Sequence, residues 1–116
     1  MPEIPLSMLK QMFRNMRVKS GWDTSGDLLW GYFFTDPSPE KLHPVAQYLE
    51  NDGYRVVKVY PTDDGSTTFL PVEKVEHHTP ASLHQRNREL RAVAKRFGLA
   101  SYDGMDVGPV QGAGDA

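Results

Sequence analysis

Apolar residues recur along this chain at two periods, and the switches between them divide it into elements. Leu9, Met12, Phe13 and Met16 stand at i, i+3, i+4 and i+7. That spacing makes one stripe of an α-helix and predicts a helix over residues 5–18, ending before Gly21. A loop follows, and then the run Leu28-Leu29-Trp30-Gly31-Tyr32-Phe33-Phe34-Thr35. Its alternation puts Trp30, Tyr32 and Phe34 on one side and Leu29 and Phe33 on the other. Apolar groups on both sides predict a central strand with something covering each. Asp36-Pro37-Ser38-Pro39 stops that strand and opens a second helix, with Ser38 placed to cap the free amides and Pro39 in the first turn. Leu42, Val45, Ala46 and Leu49 form its stripe, and Gly53 ends it. Pro44 lies inside this pattern and predicts either a kink or a later start of the regular helix.

Residues 54–60 predict a strand with Val57 and Val59 on one face and Tyr54, Val56 and Tyr60 on the other. Asp63-Asp64-Gly65-Ser66 is hairpin-turn chemistry, and a returning strand spans 67–76. Pro71 cannot donate to a ladder, so a bulge or interruption is expected there. Thr79-Pro80 repeats the cap-plus-proline start of a helix that runs to Phe97, with Leu83, Leu90, Val93, Ala94 and Phe97 inward and Gly98 at its end. A last strand covers 101–107, and 108–116 reads as a loose tail of small residues.

A helix followed by β-α-β-β-α-β predicts an α+β, ferredoxin-like sandwich over 28–107. It has a four-stranded antiparallel sheet with two helices on one face. The extra helix within residues 1–20 is the nearest element to cover the opposite face of the sheet. Its Leu9, Met12, Phe13 and Met16 stripe packs either on its own domain or against a second copy, which makes a homodimer through this helix one expectation.

The totals bound the function without naming it. The chain has 116 residues, one domain's worth, and no cysteine, hence no disulfide, no thiolate ligand and no cysteine nucleophile. No apolar run is long enough to cross a membrane and the start does not resemble a signal peptide, so a soluble cytoplasmic protein is expected. The formal net charge of −2 is unevenly spread. Residues 1–20 carry Lys10, Arg14, Arg17 and Lys19 against Glu3, and residues 79–97 carry Arg86, Arg88, Arg91, Lys95 and Arg96 against Glu89. The remainder is therefore strongly acidic: two basic helices on an acidic body.

Catalytic constellations are missing from the pattern. There is no glycine-rich phosphate loop and no Gly-x-Ser-x-Gly elbow. His77 and His78 are adjacent at a strand end and point to opposite faces, so with His84 they make a poor metal set, and no metal or cofactor is expected. Asp103 and Asp106 in the last strand read most simply as charges that discourage strand addition at a sheet edge. Binding is the better-supported class. Aromatic residues on the first strand resemble the base-stacking platform of RNA-recognition modules. The third strand, Thr67-Thr68-Phe69-Leu70-Pro71-Val72-Glu73, lacks the basic and glycine residues of that platform. Direct RNA binding then falls to phosphate contacts from Arg86, Arg88 and Arg91.

Three segments carry a family resemblance: Leu49-Glu50-Asn51-Asp52-Gly53-Tyr54-Arg55-Val56, the long helix with Leu83, Leu90, Ala94 and Phe97, and Tyr102-Asp103-Gly104 just beyond Lys95-Arg96-Phe97. In these the chain resembles the bacterial regulators of ribonuclease E activity, type B (RraB). The resemblance implies a ferredoxin-like fold, no catalysis, no cofactor, and a protein partner that is a ribonuclease or a scaffold of the RNA-decay apparatus. Trp30, Tyr32, Phe34, Tyr102 and Asp103 are the residues expected to meet that partner. Known members of the family are strongly acidic with an acidic tail, whereas 108–116 here holds one acid and the first helix is basic.

Overall fold

The computed structural model describes residues 4–19 and 21–110; from residue 111 onward the expected loose tail lies outside the described residues. The elements are α1 (Leu6–Val18), β1 (Leu28–Asp36), α2 (Pro39–Asn51), β2 (Arg55–Val56), β3 (Tyr60–Pro61), β4 (Thr68–Glu76), α3 (Pro80–Arg96) and β5 (Ser101–Gly108). β1 is central, antiparallel to β4 on one side and β5 on the other. β2 and β3 both pair with the far edge of β4, giving the order β2-β4-β1-β5. This is the ferredoxin-like arrangement of an antiparallel α+β fold, with α1 added.

Alternation along β1 decides which side is core. Trp30, Tyr32 and Phe34 are at most 1% exposed, under Leu42, Val45 and Leu49 of α2 and Leu83, Leu90 and Ala94 of α3. Leu9, Phe13 and Met16 of α1 complete the same core, and the Phe13 ring stacks on Trp30 with centroids 5.9 Å apart. α1 therefore packs beside α3 on the aromatic side of the sheet, and does not cover the opposite side as the sequence suggested. Of the two destinations open to its stripe, it takes its own domain. The physical reason lies in β1. Enclosing a large aromatic side chain is worth roughly 2–3 kcal/mol, and one side of β1 offers three of them, while the other is interrupted by Gly31.

The predicted 54–60 strand is broken into β2 and β3. Val57 N–H donates to Pro71 C=O at 3.0 Å, so the side of Pro71 that faces this strand is the side on which it has no N–H to return. The interruption expected at Pro71 thus falls on its neighbour, while β4 itself continues unbroken against β1. The break also exchanges faces. Val59 packs against the core, and Tyr60 stacks on Phe69 on the outer side, the reverse of the uninterrupted alternation.

Local chemistry fixes the helix ends. Thr79 Oγ1 accepts from Ser82 N–H at 3.1 Å while Ser82 Oγ accepts from Thr79 N–H at 2.8 Å, a reciprocal cap ahead of Pro80. Ser38 precedes α2, but its hydroxyl bonds Glu40 instead of a free amide. Buried Asp36 serves that junction, accepting from Ser38 N–H and Ala100 N–H, both at 2.9 Å, and so ties the start of α2 to the approach to β5. α2 runs from Pro39 through Pro44 as one helix.

Phe13→Ala should remove the ring on which Trp30 rests and cost about 3–5 kcal/mol of stability, read as a lower urea midpoint. An unchanged midpoint would mean that α1 is not part of the core.

Candidate functional site

Where β4 ends, a carboxylate is enclosed among donors. Glu76 Oε2 accepts from the Tyr32 hydroxyl at 2.8 Å and lies 2.9 Å from His78 Nε2 and 3.2 Å from Arg86 Nη1. The buried His78 ring spans the gap to α3, with Nδ1 2.9 Å from Ser82 Oγ, and it meets the Trp30 ring nearly perpendicularly with centroids 5.3 Å apart. Arg86 also donates to the Tyr54 hydroxyl, and the Glu76 carbonyl accepts from Trp30 Nε1 at 3.1 Å. Burial works against ionisation of Glu76, but hydrogen bonds from His78 and Tyr32 and the charge of Arg86 outweigh it, holding the carboxyl below its usual range. Burial pushes the Tyr32 hydroxyl far up and that of Tyr54 up to about 12, so both remain protonated, Tyr32 donating to Glu76 and Tyr54 accepting from Arg86. The arrangement is satisfied and inward-facing. It locks β1, β4, α3 and the start of β2 to one another.

The aromatic residues expected to meet a partner are accounted for by this interior. Trp30, Tyr32 and Phe34 lie under the helices, and Tyr102, 3% exposed, donates to Asn87 Oδ1 at 2.5 Å, which ties β5 to α3. These four are therefore corrected from surface to core. Asp103 is exposed at a bulge, where the pairing passes from Phe33 opposite Gly104 to Phe34 opposite Tyr102. Gly104 has φ +113°, a backbone state that favours glycine, which gives the Tyr102-Asp103-Gly104 motif a conformational reason. Of the three arginines proposed for phosphate, Arg86 turns inward to Tyr54 and Glu76, while Arg88 and Arg91 join Lys95 around a 190 Å³ hollow on the outer face of α3.

Between α2 and α3 lies a larger groove of about 450 Å³, whose lining includes Tyr48, Tyr54, Arg86, Glu89, Val93 and Arg96. Cations sit on its rings: Arg96 over Tyr48 at 5.3 Å, and Arg86 and Lys74 over Tyr54 at 5.6 and 4.5 Å. Tyr48 and Phe97 meet at its end with centroids 5.6 Å apart. Sequence reasoning missed this feature because Tyr54 and Arg86 are far apart in the chain. The available signal was a tyrosine off the apolar stripe of α2 and an arginine at the end of α3. Among the described residues no group of three or more His, Asp or Glu is disposed to hold a metal ion, and no helix is long and apolar enough to cross a membrane.

Residues 7–107 match the family model described as "Regulator of ribonuclease activity B", a span that includes every element except the first residue of α1 and the last of β5. No curated protein sequence matches the chain.

Glu76→Gln tests the enclosed carboxylate. A depressed acid stabilises the fold above its unfolded value, the ordinary glutamate 4.5, and the contribution is lost as pH falls through the folded value. Wild type should therefore lose more stability than the variant between about pH 5 and pH 3, in urea midpoints measured at each pH. Parallel curves would show that Glu76 is not held below its ordinary range.

Proposed function

The chain belongs to the regulators of ribonuclease activity B, and from that premise we propose that it is a non-catalytic protein that binds a ribonuclease of the E type and alters RNA turnover. The α2–α3 groove carries the proposal. Tyrosine and arginine supply binding energy at protein interfaces more often than other residues, and here Arg96 and Tyr48 present a charged, partly apolar edge to solvent. A segment of the nuclease offering a carboxylate to Arg96 and an apolar side chain between Tyr48 and Val93 fits that lining. Family membership supports a ribonuclease as the partner, and the lining of the groove supports this place for it.

A second reading has one observation in its favour. α1 packs beside α3, so the two basic segments of the chain share one side of the molecule, with Arg88, Arg91 and Lys95 around the hollow on α3. That surface would meet phosphates directly.

One titration series separates the two. The chain should bind purified ribonuclease E, and Tyr48→Ala with Arg96→Glu should weaken binding at least tenfold, about 1.4 kcal/mol, with the unfolding midpoint of the chain kept. Arg88→Ala with Arg91→Ala should leave that affinity unchanged. Absence of binding to the nuclease refutes the first reading. RNA binding that falls steeply with salt and is abolished by the Arg88 and Arg91 changes would establish the second.

A further inference from the structure

Among the described residues, four of the seven exposed large apolar side chains gather on the side of the sheet away from the helices: Val57, Tyr60, Val75 and Val110. Apolar residues gathered on one face mark a docking surface; the same residues scattered singly do not. Along β1 this face reads Leu29, Gly31, Phe33. The place beside Gly31 is filled from the next strand by the Asp106 carboxylate, whose Oδ1 lies 2.5 Å from where a Cβ on residue 31 would stand. The line over the central strand is therefore apolar, anionic, apolar.

Neighbouring strands widen each part of that line. Leu29 stands opposite Val75, and with Val110 they border a hollow of about 440 Å³. Phe33 stands opposite Pro71 with Val57 beyond, and the Tyr60–Phe69 stack closes that end. In the row between, Arg55 and Glu73 pair with each other, whereas Asp106 has no ion pair among the described residues. Loss of water over the sheet, and then the charge of Glu73, hold the Asp106 carboxyl above its ordinary range. Residues 111–116 contain Asp115 and no Lys or Arg, so they bring it no cation.

We propose that this face binds an amphipathic helix of another protein, laid along β1, whose apolar row carries one lysine or arginine to meet Asp106. Spacing selects a helix. Side chains on one face of a strand repeat every ~6.6 Å, and helix residues four apart are separated by about 6 Å. An apolar residue at i then covers Leu29 and Val75, the cation at i+4 meets Asp106, and an apolar residue at i+8 covers Phe33 and Pro71. Residues at that spacing share one side of a helix. The site lies across the sheet from the α2–α3 groove and stands whether or not that groove holds a nuclease.

Charge excludes the other occupants. RNA brings phosphates to a row that already holds one carboxylate more than it has cations, and an anionic membrane does the same. A second copy of the same face brings Glu73 and Asp106 against their like. A wholly apolar helix strips water from Asp106 and gives it no partner in return. A helix about 10 Å wide along roughly 20 Å of strand covers about 200 Å² of this face. That is far below the ~800 Å² per partner of a standard complex, so binding is weak, with a Kd above about 1 µM.

The probe is a capped, alanine-based peptide of about 16 residues, long enough to be helical, with leucine at i and i+8 and lysine at i+4. Added to the isotope-labelled chain at low salt, it should move the amide resonances of Leu29, Gly31, Phe33 and Asp106 saturably, with a Kd between about 1 µM and 1 mM. The same peptide with glutamate at i+4 should bind about tenfold more weakly or worse. Asp106→Asn, which keeps the shape of the side chain, should bind the two peptides alike. The proposal is overturned by no shift at ~1 mM lysine peptide, or by shifts that map to Tyr48 and Val93 in the groove. Equal affinity of wild type for both peptides overturns it as well, as does a lysine preference that survives in Asp106→Asn. Mixed-sequence RNA that moves the same resonances would assign the face to nucleic acid and also overturn it.

Discussion

Everything in this molecule depends on how β1 divides its side chains. Three aromatic residues at alternate positions face the helices, and a glycine sits between the apolar residues that face the other way. Once Trp30, Tyr32 and Phe34 point inward, all three helices follow them. The polar atoms on those rings need partners in a dry interior. Glu76 supplies both, its carboxylate to Tyr32 and its carbonyl to Trp30. His78 and Arg86 then satisfy the rest of that carboxylate, so the hydrophobic choice made on β1 is locked by a polar network at the end of β4.

Function is displaced outward by the same division. The aromatic stripe that looks like a binding platform in the sequence is consumed by folding. What remains for partners is a groove where arginines lie on tyrosine rings, a basic helical side, and an open sheet face of apolar residues with charges at its edges. The groove lies between α2 and α3 and adjoins the basic hollow at Ala92, whereas the open face lies on the other side of the sheet. A partner held in the groove would leave the open sheet face uncovered.

Most of the architecture is legible in the residues because the signals are local. Thr79-Pro80 announces a capped helix and forms one, and the stripes of α1, α2 and α3 contain every buried residue of those helices except Asn87, a polar residue that pattern alone does not place inside. The βαββαβ order follows from the sequence of periods alone. What is not legible is orientation. Period-two alternation says that Trp30 and Phe33 lie on opposite sides, but not which side the helices take, since both are apolar. Gly31 is the discriminating residue, because a glycine leaves a gap that a helix would have to cover without contact. The split of the second strand is legible only in pairing, since its cause, Pro71, belongs to the strand opposite. Arg86 shows the same limit for the site. In a basic helix it reads as solvated charge, and only the fold brings Tyr54 and Glu76 to it.

Because the chain contains no cysteine, one introduced thiol reports accessibility without background. The decisive comparison is the rate at which a thiol reagent labels Phe33→Cys and Phe34→Cys in dilute native protein, adjacent positions on opposite sides of β1. The division described here predicts rapid labelling at 33 and labelling at 34 only as fast as the protein unfolds. Rapid labelling at 34 with protection at 33 would place the helices on the other face and contradict the account.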